Sequence, residues 1–97
     1  MKKRKSTKSS GNVFLDLGFE PEEALILSMR SQLLGELRLL IEQKGWTQVR
    51  AAQEIGITQS RVSDLTRGKW EKFSLDMLLV LATRAGLRPE IRLKRAA

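Results

Sequence analysis

The chain has 97 residues, 41% of them hydrophobic, and contains neither cysteine nor histidine. That length holds one modest core, and the missing thiols and imidazoles exclude disulfides, Cys/His metal sites and Ser-His or Cys-His nucleophile systems. The net charge of +7 is uneven: residues 1–11 carry five positive charges and no negative one, residues 12–43 two against six, residues 44–73 six against three, and residues 74–97 five against two, a pattern that suits a polyanion on one side and a different partner on the other.

Residues 1–11 are Lys, Ser and Gly without an apolar anchor and read as a disordered basic tail, either solubilising or a phosphate-binding arm. No long apolar stretch follows, so the tail does not read as a secretory signal, and no run approaches the roughly 20 residues that span a bilayer. A cytoplasmic setting with no membrane partner is expected, with residues 12–97 forming one domain. In "NVFLDLGFEPEE", Val13, Phe14, Leu15, Leu17 and Phe19 make an apolar patch without helical length, which predicts a short extended segment lying on the body and ended by Gly18.

Pro21 suits a first helical position, with Glu22 and Glu23 where the helix dipole favours acids, and the helix can run through Lys44 to a stop at Gly45. At about 100° per residue, Leu25, Met29, Leu40, Leu33, Ile26, Leu37, Ile41, Leu34 and Leu27 fill an arc of roughly 200°. This is wider than one packing face requires; either the N-terminal half of the helix meets a second chain or it enters a deep core.

Three further helices begin alike, with Thr47, Thr58 and Ser74 as hydroxyl N-caps, each preceded by a large apolar residue: Trp46, Ile57 and Phe73. Val62 and Leu78 close hydrophobic staples for the second and third, and Ala51 closes one weakly for the first; no cap has Glu or Gln three residues on. Helices are expected near 47–55, 58–67 and 74–85, with Gly68 and Gly86 as stops. At the end, Leu87, Pro89, Ile91 and Leu93 alternate with Arg88, Glu90, Arg92 and Lys94, predicting a half-buried strand over 88–94. A lone strand has nowhere to place its hydrogen bonds, so it must pair with the 13–15 segment, with its own copy or with a partner protein.

Only Gly56 and Ile57 join the helices at 47–55 and 58–67. A turn this short makes them cross steeply and leaves the second exposed along one face. Ala52 is small at the closest approach, Ile55, Ile57, Val62 and Leu65 face the core, and Gly56 sits where the turn needs a positive φ. With these features, "TQVRAAQEIGITQSRVSDLTRGKW" resembles the DNA-binding core of the XRE family, the fold of the lambdoid phage repressors and Cro, over residues 36–87 or so. The resemblance implies an all-α, five-helix lambda repressor-like helix-turn-helix domain with its motif at 47–67, here followed by the short C-terminal β-strand. With "NVFLDLGF" upstream and "QSRVSDLTRGKWEKFSLDMLLVLATRAGL" downstream, the wider frame resembles the antitoxins of HigBA-type toxin-antitoxin pairs, whose partner is a RelE-like ribonuclease toxin.

The resemblance places the first residues of the recognition helix in the major groove of double-stranded DNA. Gln59 can then pair bidentately with adenine, Arg61 with guanine or phosphate, and the Thr58 methyl can touch a thymine methyl. Ser60 is short and has no readable preference. Ser63 and Asp64 lie further along; phosphate would repel Asp64, which either accepts from a cytosine amino group or pairs with Arg61 or Arg67. Gln48 matches the family position that holds a phosphate and buttresses the recognition helix, and Thr47, Arg50, Arg67, Lys69 and Lys72 are the remaining phosphate contacts; Arg50 and Lys72 also read as plain surface charges. Trp46 is a staple and core residue, and Trp70 is expected to pack against the next helix rather than touch a base.

The expected protein is a homodimeric, sequence-specific repressor on a palindromic operator in its own promoter, dimerised through residues 74–94 and using no cofactor. The resemblance adds neutralisation of a RelE/HigB-like toxin, for which the acidic helix at 21–43 and "NVFLDLGF" offer a surface. The alternative is a stand-alone or prophage XRE-type regulator. An enzyme is not expected, since the 11 carboxylates form no recognisable site.

Overall fold

Five α-helices and one 3-10 turn succeed one another in the computed structural model, which describes residues 11–95: α1 Val13–Asp16, α2 Pro21–Lys44, α3 Gln48–Ile55, α4 Gln59–Thr66, the 3-10 turn Trp70–Lys72 and α5 Leu75–Arg84. The basic tail expected at 1–11 lies, but for Gly11, outside the described residues.

Hydroxyl caps start α3, α4 and α5. Thr47, Thr58 and Ser74 accept from the backbone N–H of Arg50, Arg61 and Met77, each at 3.1 Å, and each such cap contributes about 1 kcal/mol by satisfying a donor the helix cannot. α2 begins on Pro21, as its fixed φ favours. α3 ends at Gly56, where φ is 77° and the N–H returns to the Ala52 carbonyl. A Cβ there would stand 3.3 Å from Nη1 of Arg84, which donates to the carbonyls of Ile55 and Gly56 at 3.5 Å. Gly56→Ala is therefore expected to lower stability by on the order of 1–2 kcal/mol, read as a fall in Tm with the helical circular dichroism intact at low temperature; an unchanged Tm would mean that the turn tolerates a side chain.

The core forms where α2 lies across the others. Leu34, Leu37 and Ile41 of α2 are buried with Ala51 and Ile55 of α3, Val62 and Leu65 of α4, Phe73, and Leu78, Leu81 and Ala82 of α5. Trp46, Ile57, Leu33 and Leu40 pack partly buried against this cluster. The wide apolar arc of α2 therefore divides. One core covers one face, and toward the N-terminal end Leu25 and Ile26 remain 57% and 46% exposed.

Two expectations are corrected. The segment expected to be extended at 13–17 is a helical turn: Asn12 Oδ1 accepts from the N–H groups of Phe14 at 2.9 Å and Leu15 at 3.4 Å, and Asn12 Nδ2 donates to the Ala24 carbonyl of α2. A four-residue helix spans barely one turn, too little for the 3.6-residue apolar period to repeat, so the pattern hides it, and the Asn12 cap holds its first turn. The strand expected at 88–94 does not form, and no strand occurs among the described residues. Strand structure needs a neighbour, and the one neighbour the chain offered, the 13–15 segment, is helical.

Candidate nucleic-acid interface

Val62 and Leu65 anchor α4 in the core at 1% and 0% exposure. That orientation leaves Thr58, Gln59 and Ser60 exposed at its N-terminus and Arg61, Ser63 and Asp64 half-exposed along one side. Thr47, Gln48, Arg50, Arg67 and Lys72 are exposed around it, and Lys69 is half-buried. The Thr47 and Thr58 hydroxyls accept their cap bonds through a lone pair, which leaves each O–H free to donate. Among the described residues the Gln59 amide has no hydrogen-bond partner, so both its donor and its acceptor are available to an incoming base edge.

Arg61 is already engaged. Its Nη1 donates to the Lys72 carbonyl at 3.3 Å, its Nη2 lies 3.1 Å from Sδ of Met77, and the guanidinium stacks 4.9 Å from the Phe73 ring centroid. The side chain runs back toward the start of α5, and its charge sits at the rim of the face rather than at the tip of α4. Arg50 likewise holds Glu54 at 2.8 Å in an exposed i,i+4 pair, an interaction of only about 0.3–0.5 kcal/mol that a phosphate can replace.

Asp64 does not pair with Arg61 or Arg67. It faces Lys69 at 4.0 Å and Lys72 at 3.9 Å, with its own side chain largely buried. The reason is the path of the chain after α4: Lys69 N–H returns to the Asp64 carbonyl at 3.0 Å, and the 3-10 turn then brings Lys72 back to the same side. One carboxylate thus gathers two cations next to the exposed face.

Trp70 packs on the body, half-buried against the core cluster to which α5 contributes Leu78 and Leu81, and α1 and α2 add two further neighbours. Phe14 of α1 meets its edge at a centroid distance of 5.9 Å, and Arg30 of α2 lies over its ring at 5.2 Å. Arg30 also donates to the Phe73 carbonyl at 2.9 Å and the Trp70 carbonyl at 3.1 Å, tying α2 to the loop that carries Lys69 and Lys72. The sequence held one signal for it: Arg30 is the only charge between Glu23 and Glu36, placed where a solvated helix face would carry several.

A capped helix pair joined through a left-handed glycine, with the second helix buried on one side and polar on the other, defines a DNA-binding helix-turn-helix domain. The chain belongs to a helix-turn-helix domain family, matching that family's pattern over residues 13–94, from the start of α1 through the segment that follows α5. No curated protein matches it. Among the described residues no helix is long and apolar enough to cross a membrane.

Proposed function

We propose that the protein is a non-catalytic, sequence-specific repressor that binds as a homodimer to a palindromic operator in its own promoter. The observation that carries this reading is the exposed, uncommitted start of α4 above a fully buried back. In it, Gln59 reads adenine, Thr58 offers its methyl to thymine, and Ser60 and Ser63 make adaptable contacts. Arg61, from its seat on Phe73, reaches a guanine or the adjoining phosphate. Thr47, Gln48, Arg50, Arg67, Lys69 and Lys72 hold the backbone on either side. A single motif buries little surface, and a two-fold sets two recognition helices about 34 Å apart, one helical turn of DNA.

Gln59→Ala tests the assignment. It is expected to weaken operator binding by between about tenfold and a hundredfold in a band-shift assay at fixed salt, with binding to unrelated DNA unchanged. No loss, or an equal loss on both DNAs, would overturn it.

The exposed Val13 of α1 and Leu17 just after it, with Leu25 and Ile26 of α2 and the nearby Glu20, Glu22 and Glu23, support a second role: neutralising a basic RelE/HigB-like ribonuclease toxin. Co-expression with the neighbouring reading frame is expected to restore growth and give a stable complex. If it does neither, the protein is a stand-alone or prophage-type regulator.

A further inference from the structure

The 3-10 turn Trp70–Lys72 is a weak element to carry part of a binding face by itself. It is closed by Lys72 N–H to the Lys69 carbonyl at 3.1 Å and Phe73 N–H to the Trp70 carbonyl at 3.0 Å, and i→i+3 bonds of this kind have poorer geometry than those of an α-helix. Yet the turn decides where two of the lysines assigned to DNA phosphates stand. Residues three apart eclipse each other in a 3-10 turn, so Lys69 and Lys72 emerge side by side, at 4.0 and 3.9 Å from the Asp64 carboxylate. Opening the turn would separate them.

Arg30 of α2 grips this turn by its backbone. Nε donates to the Phe73 carbonyl at 2.9 Å and Nη2 to the Trp70 carbonyl at 3.1 Å, so one planar guanidinium bridges the first residue of the turn and the residue that follows it. The same group lies 5.2 Å over the Trp70 ring, whose edge Phe14 covers. Arg30 is half-buried and has no carboxylate partner among the described residues. Drawing a cation out of water without an anion is costly, and two charge-assisted hydrogen bonds with one aromatic face offset the cost. What the arrangement secures is the shape of the turn.

We propose that Arg30 is a positioning residue for DNA binding: without touching DNA, it holds the Trp70–Lys72 turn closed and so presents Lys69 and Lys72 as a matched pair to the phosphate backbone. This rests on the phosphate contacts assigned above and names the group that orders them. A lysine at position 30 would keep the charge but not the bridge, because an ammonium is a point donor on a flexible stem and lacks the flat face that stacks on the indole.

Arg30→Lys in the full chain tests the role at constant charge. It is expected to cost the equivalent of one lysine contact per subunit of a dimer: about 25-fold in affinity for operator and unrelated DNA alike near 0.15 M salt, and about 1.8 in the slope of log K against log salt. In a chain already carrying Lys69→Ala and Lys72→Ala, the same substitution should change affinity by less than about threefold, since Arg30 then has nothing to position. Amide exchange followed by NMR reads the turn directly: the N–H groups of Lys72 and Phe73 should exchange faster in Arg30→Lys, and that of Arg61 at the α4 cap should not. Circular dichroism checks that the helices persist at the assay temperature. Equal losses with and without the two lysines, unchanged affinity in Arg30→Lys, or unchanged exchange at Lys72 and Phe73 would overturn the positioning role and leave the DNA-contact reading standing. Undiminished DNA binding by the double-lysine variant would overturn the assigned phosphate contacts and the positioning role with them.

Discussion

Phe73→Ala is expected to remove about 3–5 kcal/mol of stability, a large share of the roughly 5–15 kcal/mol that holds a domain of this size together. Phe73 is fully buried and is the largest side chain in the core. It also organises the groups around it. Its N–H donates to the Trp70 carbonyl at 3.0 Å, its carbonyl accepts from Arg30 at 2.9 Å, and its ring carries the Arg61 guanidinium. Truncation therefore opens a cavity and releases the cation that lies at the rim of the DNA-facing surface. Phe73→Leu keeps most of the volume and should cost less than about 1.5 kcal/mol. Urea denaturation compares the two: a loss below about 1 kcal/mol for the alanine variant would show that the core closes without an aromatic ring at this position.

What could be read from the sequence was what chemistry fixes locally. A hydroxyl three residues before the N–H it accepts from, or a glycine at a left-handed position, depends on a few neighbouring residues, so Thr47, Thr58, Ser74 and Gly56 announced the helix starts and the turn. The exposed row at Thr58, Gln59 and Ser60 followed from the positions of Val62 and Leu65. What could not be read depended on where distant segments come together. Arg30 reaches a carbonyl 43 residues away, and Asp64 meets Lys69 and Lys72 only because the loop after α4 doubles back. The helix position of Arg61 puts it among the base readers, although the Phe73 ring behind it offers a competing seat. The alternation at 88–94 was legible as a pattern, but a pattern names no partner, and within the described chain no strand stands beside it.

Lys69→Ala combined with Lys72→Ala is expected to weaken DNA binding by between about a hundredfold and a thousandfold near 0.15 M salt, and to lower the slope of log K against log salt by about 3.6. A dimer loses four phosphate contacts, each contributing about 0.9 to that slope and about 0.7 log unit of affinity at this salt. Operator and unrelated DNA should suffer alike, because phosphate contacts carry no sequence information. In the free protein these lysines face Asp64 at 3.9–4.0 Å, and the relative strengths decide which partner they keep. Partly exposed lysine–carboxylate pairs at such separations contribute about 0–1 kcal/mol, whereas a phosphate contact also releases a condensed counterion; the lysines should therefore turn to DNA. Asp64 then becomes a brake: it holds both cations near the face and adds a negative charge that phosphate repels. Asp64→Asn should accordingly strengthen binding to operator and unrelated DNA by similar factors, the reverse of the lysine variants. If it instead weakened operator binding alone, Asp64 would be reading a cytosine amino group, and the lysines would be held by a base-reading residue rather than by a brake.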